Sequence, residues 1–380
     1  MSLQHRNKRQ TRVLGQKALY QCCCGQAVFF RNSICLTCHT ALGFDPSRDE
    51  ILPLVPATAA GSWQIAGNEQ SPRYRRCANF DTPAGCNWLI PADHDETLCI
   101  ACRLNRTIPD LSVEGNAERW HKIEVAKRNL IAQLLGLGLP VINKADDPQT
   151  GLAFDFLGTD LQGNSPTTGH ASGLITLNVL EADDAYREKL RIQMHEPYRT
   201  LLGHFRHEIG HYYWDRFIAD THWLEDYRQL FGDERTDYSQ AMQRHYQQGA
   251  PADWQQHFVS AYASMHPWED WAETWAHYLH MMDTLDTAFG FGMSANNTDL
   301  DFQPFTREAL HTPDDPEGNE FLAFINAWIE LAAMLNELAR SMGQPDTYPF
   351  ILPTAVIAKL HFIHKVVRSK GDSPVLARPD

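Results

Sequence analysis

The chain has 380 residues, 43% of them apolar, and a formal net charge of −14. It is long enough to bury more core than a usual single domain, and its acidity argues against nucleic acid as the substrate. No uninterrupted apolar run reaches membrane-spanning length, the best candidates being broken by Gln133 or by Asn326 and Glu330.

The charge is uneven. Residues 1–110 carry 12 Lys and Arg against 9 Asp and Glu, and the remainder carries 21 against 38. Residues 1–9 contain no apolar targeting core, which implies a cytoplasmic protein. Arg6, Lys8, Arg9, Arg12 and Lys17 read as a solvated basic terminus.

All nine cysteines fall within the first 102 residues. Cys35-x-x-Cys38 and Cys99-x-x-Cys102 have zinc-knuckle spacing, and four thiolates close a tetrahedral structural site. The predicted sets are Cys22, Cys24, Cys35 and Cys38, leaving Cys23 spare, and Cys77, Cys86, Cys99 and Cys102. Disulfides are the competing reading for such density, but they need an oxidising compartment. The string Cys35-Leu36-Thr37-Cys38-His39 also spells a c-type haem attachment, which would require export and a second axial ligand. A zinc ribbon over 18–50, a Pro- and Ala-containing connector over 51–72 and a second, four-cysteine zinc module over 73–110 follow from this spacing.

Trp120, Ile123, Leu130 and Leu134 predict a helix over 117–136. Strand signals come next at 152–157 and 173–180. A helix is then predicted from about 197 to 219, with Pro197 in its first turn and Leu201, Leu202, Phe205, Ile209 and Phe217 on its apolar face.

That helix carries His207-Glu208-Ile209-Gly210-His211. Helical positions four apart share a face, so both imidazoles can grip one metal ion while Glu208 points at its water. Catalytic zinc takes three protein ligands and keeps an open position. The metzincin extension would need glycine at 214 and histidine at 217, and Trp214 and Phe217 exclude it.

A second helix starting near Pro267 offers Glu269 and Glu273, which share a face, so one can bind zinc while the other orients an imidazole. His204 faces the same way as the two metal histidines and reads as a hydrogen-bonded neighbour. His277 and His280 read as packing or surface groups, and the spacing does not supply the paired Glu-x-x-His motifs of a di-iron site. Trp214, Trp254, Trp268, Trp271 and Trp275 suit core and cleft walls. Further helices over 319–342 and 354–369 are expected to close the lower half of the cleft.

A glutamate helix about sixty residues after His-Glu-x-x-His, with a second acid one turn on, resembles the gluzincin peptidases, and its Glu-x-x-Ala-Glu form is similar to lethal-factor-like members. The resemblance implies that Glu269 is the zinc ligand and that Glu273 supports His207. Spacing alone leaves the exchanged assignment open. It also implies that Tyr262, seven residues before Glu269, steadies the tetrahedral intermediate, where residue type alone equally allows a half-buried core tyrosine.

The full layout, with the string 102–110 and Glu196-Pro197-Tyr198-Arg199-Thr200 leading into the metal helix, resembles a bacterial family of zinc-binding metallopeptidases. The implied fold is α+β: a mostly helical, zincin-like catalytic domain over 111–370 with a small antiparallel-edged sheet, preceded by the zinc-ribbon modules. Zincin peptidases hold substrate as an added strand, which assigns Leu174, Thr176 and Asn178 to the substrate-binding wall.

The implied chemistry is hydrolysis of a peptide bond, with Glu208 taking the proton of a zinc-activated water and passing it to the leaving amine. The expected partners are a peptide or protein substrate and a protein docked on the ribbons. The other reading is a non-catalytic, zinc-stabilised binding or regulatory protein that keeps a peptidase shell. Glu208 favours the enzyme, since a scaffold needs no general base.

Overall fold

The computed structural model describes residues 20–68, 70–159, 166, 168–194, 200–293 and 300–371. The basic residues of the N-terminal segment and Pro197 lie outside them. Short strands β1 (Tyr20–Gln21) and β2 (Ala27–Val28) pair around a knuckle that Gly25 turns with a φ of 85°.

A five-stranded antiparallel sheet follows in chain order: β3 (Ala41–Asp45), β4 (Glu50–Pro56), β5 (Ser62–Ile65), β6 (Tyr74–Arg76) and β7 (Leu89–Pro91). Residues 51–72 are therefore not a connector. Pro53, which makes the stretch read as a loop, sits in β4 opposite Leu42 and uses its carbonyl to accept from the Ala66 amide. Its missing N–H is tolerated within that ladder.

The second sheet is mixed. β8 (Asn105–Thr107) and β9 (Ala153–Leu157) are parallel, β9 and β11 (Leu174–Asn178) are parallel, and β10 (Gly169–Ala171) closes the edge antiparallel to β11. The order β10-β11-β9-β8 leaves β11 inside, with both of its edges paired. The expectation that β11 offers its backbone to substrate is therefore corrected. Leu174 and Thr176 face partners in both β9 and β10, and Asn178 caps the turn that follows by accepting from the Leu180 amide. Among the described residues, no strand pairs with the outer edge of β10.

Eight α-helices are described: α1 (Asn116–Gly136), α2 (Asp184–Met194), α3 (Leu201–Phe217), α4 (Leu224–Phe231), α5 (Tyr238–Gln248), α6 (Pro267–Gly290), α7 (Gly318–Ser341) and α8 (Thr354–Gly371). With the two sheets they make the chain α+β. The start of α3 is set by Thr200, whose hydroxyl accepts from the Gly203 amide at 2.9 Å. Pro267 occupies the first turn of α6, and His266 caps it by accepting from the Trp268 amide at 3.0 Å.

The cysteine-bearing part and the helices share one buried core that runs from Tyr20 and Trp88 through Trp120, Phe154 and Phe205 to Trp275 and Val367. β8 follows closely on Cys102 and belongs to the second sheet, so the cysteine-bearing loops and the helical part are covalently and physically continuous. Behind α6, Lys359 of α8 donates to the buried Asp270 at 2.6 Å.

α3 and α6 cross at Gly210. A Cβ there would sit 3.0 Å from the Ala272 Cα and 3.2 Å from the Trp275 Cβ, while the Trp271 indole N–H donates to the Gly210 carbonyl at 2.8 Å. Backbone atoms cannot step aside as a flexible side chain can, so Gly210→Ala forces the helices apart. It is expected to cost about 1–3 kcal/mol, read as a lower urea midpoint at unchanged slope.

Candidate metal centre

The helical repeat stacks His207 and His211 on one face of α3, with ring centroids 4.9 Å apart. α6 brings Glu269 to them from its first turn. Glu269 Oε2 lies 2.9 Å from His207 Nε2 and 3.6 Å from His211 Nε2, and the three donor atoms lie within 4.8 Å of one another. Zinc bonds of about 2.0–2.1 Å require tetrahedral edges of about 3.3 Å, so one ion fits among them. Glu269 Oε2 is buried and makes no hydrogen bond, a deficit worth about 1–3 kcal/mol that a cation would remove. Burial pushes the Glu269 carboxyl up, but His211 and His207 outweigh it and hold the group well below the usual carboxylate range.

The geometry separates the two acids. Glu273 Oε1 sits 2.7 Å from His207 Nδ1, on the far side of that ring, and its Oε2 accepts from the Ser260 hydroxyl at 2.6 Å. It therefore orients His207 and stands apart from the converging donors. His211 is held differently: its Nδ1 makes no hydrogen bond, and its ring stacks on Trp268 with centroids 4.8 Å apart and planes at 13°. His170 of β10 stacks against the same ring at 6.2 Å.

Tyr262 stands in a single helical turn before α6, with its ring 6.0 Å from that of His207. Burial, with Glu269 and Tyr238 nearby, pushes its phenol well above the ordinary range. Tyr238, at the start of α5, donates to Glu269 Oε1 at 2.9 Å. Glu208 is 5% exposed and also belongs to this site. Burial raises its pKa, and the hydrogen bond from His204 with the nearby His207 more than reverses the effect.

The nine cysteines are all free. Cys22, Cys24, Cys35 and Cys38 form one cluster and Cys77, Cys86, Cys99 and Cys102 another. Sulfur separations of 3.5 Å for Cys22 to Cys38, 3.8 Å for Cys24 to Cys35 and 3.6 Å for Cys86 to Cys99 lie far beyond a disulfide bond. They suit the tetrahedral edge of about 3.8 Å set by zinc–thiolate bonds of about 2.3 Å. Cys22 is buried and Cys24 exposed, yet both belong to the first cluster, while Cys23, whose sulfur lies 3.8 Å from that of Cys22, falls outside it.

A model of the family described as "Putative zinc-binding metallo-peptidase" matches residues 116–366. The chain belongs to this family. A zinc-ribbon domain model matches residues 19–113, so both cysteine clusters and the five-stranded sheet fall within one ribbon match. Two similar relatives are "Uncharacterized protein Mb2598c" of Mycobacterium bovis and "Uncharacterized protein Rv2568c" of Mycobacterium tuberculosis. Each is 45% identical over 346 residues, covering 90% of this chain and 93% of the relative. No solved structure matches the chain.

Tyr238, Ser260, Glu181 and His170 reach the family member's site without any sequence signal that announces them. Each is placed by a turn, an edge strand or, for Tyr238, the start of another helix rather than by helical spacing from His207. For the whole chain, metal analysis by plasma mass spectrometry is expected to find three zinc ions, one for each cluster. Cys23→Ser should keep three, whereas Cys99→Ser should lose one and lower the melting temperature. A Cys23→Ser protein short of one zinc would contradict the assigned set.

Proposed function

We propose that the chain is a zinc-dependent peptidase of the gluzincin type in which Glu208 is the general base. One observation carries the reading: His207, His211 and Glu269 converge within 4.8 Å of one another, and beside them the Glu208 Oε2 is buried without a hydrogen bond. A carboxylate oxygen left free beside three converging metal donors is placed to accept the proton of a water between them, which is what a general base needs. Zinc held by those three residues supplies a Lewis acid for a scissile carbonyl and lowers the pKa of water toward neutrality.

Glu208 then accepts the proton of the attacking water and delivers it to the leaving nitrogen. Glu273 keeps the His207 ring aimed, and Tyr238 steadies the Glu269 carboxylate through its other oxygen. Tyr262, whose ring lies 6.0 Å from that of His207, can offer its hydroxyl to the oxyanion as charge develops there. The outer edge of β10 is the strand left to receive an extended peptide, in place of β11. The two four-cysteine clusters take structural zinc and present the ribbon to a protein partner, and reduced thiols of this kind suit a cytoplasmic protein.

Glu208→Gln keeps the shape and removes the base. Hydrolysis is expected to fall by about 10²- to 10⁴-fold with the zinc content unchanged. Proteome-wide cleavage profiling of wild type against Glu208→Gln is the decisive measurement. Identical profiles would reject the peptidase reading in favour of a non-catalytic binding protein.

A further inference from the structure

One turn before His207, α3 carries His204, which takes no part in the converging donor set. Its ring lies between two carboxylates: Nδ1 is 2.7 Å from Glu181 Oε2 and Nε2 is 3.3 Å from Glu208 Oε1. An ionised carboxylate only accepts, so the ring donates from Nδ1 to Glu181 and faces Glu208 through Nε2 as an ion pair. The pair holds the ring on each side, as an outer acid holds a metal-bound histidine.

Glu181 is itself fixed. It lies in the single turn Val179–Ala182 that follows β11, a turn capped by Asn178, and its Oε1 accepts from the Thr168 hydroxyl at 2.6 Å. The Thr168 oxygen accepts in turn from the Asn178 amide at 3.0 Å. Glu181 thus takes its place from the sheet, and His204 carries that placement across to α3.

The consequence falls on the two oxygens of Glu208. Oε1 is taken by His204, and Oε2 is buried with no hydrogen bond. An untethered glutamate turns readily about its last torsion, which is broad, so the carboxylate plane and the aim of its free oxygen would not stay fixed. We infer that Glu181 and His204 are positioning residues that pin Oε1 of Glu208 so that Oε2 is the oxygen offered to the proton.

This inference rests on the peptidase reading of the same site. It also links the base to the substrate edge, because Thr168 immediately precedes β10.

The test uses the full-length, zinc-loaded protein on one fluorogenic peptide that the wild type cleaves and Glu208→Gln does not. If no cleaved peptide distinguishes those two, the peptidase reading fails, and the crystallographic comparison below still decides the positioning. His204→Ala is expected to lower kcat by about 10- to 100-fold, with KM and zinc content unchanged. His204→Gln keeps one donor toward Glu208 and should recover part of the loss. The isosteric Glu181→Gln should fall between wild type and His204→Ala, and it carries the kinetic test if His204→Ala does not fold.

Crystal structures of zinc-loaded wild type and a folded variant should show the Glu208 carboxylate turned in the variant. An unchanged kcat, a loss matched by lost zinc or raised KM, or an unmoved Glu208 would each overturn the proposal.

Discussion

The close crossing of α3 and α6 is the constraint on which the site depends. Gly210 allows the two helices to meet almost backbone to backbone, and Trp271 fastens the contact through the Gly210 carbonyl. At that separation a short glutamate side chain in the first turn of α6 reaches two imidazoles on α3. The tryptophans of α6 fill the space on either side, with Trp271 and Trp275 fully buried. A wider crossing would leave three donors too far apart to share an ion, whatever their spacing in the chain.

Burying so many ionisable groups is expensive, and the structure offsets the cost group by group. Glu273 is shared by His207 and Ser260, Glu269 is supported by Tyr238, and Asp270, one residue on, is neutralised by Lys359. Arg206 of α3 bonds Gln133, His280 and Asp283. His277 bonds Tyr348, so His277 and His280 are buried packing groups. At the converging cluster, one oxygen each of Glu208 and Glu269 is buried without a hydrogen bond.

The ribbon is part of the same body. The helix that opens the family-matched part, α1, buries Glu124 and Lys127, which meet each other and Asn105 of β8 just beyond the last cysteine. Arg128 donates to the Ala84 carbonyl inside the second cysteine cluster's loop. Metal loss from that cluster would therefore disturb the support of β8 and, through β9, the sheet beside the site.

By itself the chain's order of residues determined whatever follows from local periodicity. The pairing of His207 with His211, the shared face of Glu269 and Glu273, and the helices over Asn116–Gly136 and Gly318–Ser341 all arise within a few turns of one element, and the Cys-x-x-Cys spacings mark the two cysteine clusters. Strand β11 was legible too, but its interior place was not, because a strand's neighbours are fixed by chain segments elsewhere. The proline in β4 hid a strand whose pairing tolerates it. Tertiary structure alone decided which acid meets the metal donors, which strands end the sheet, and that Glu181, His204 and Tyr238 surround them. Those choices depend on how helices cross and turns fold back, and no spacing along the chain encodes such distances.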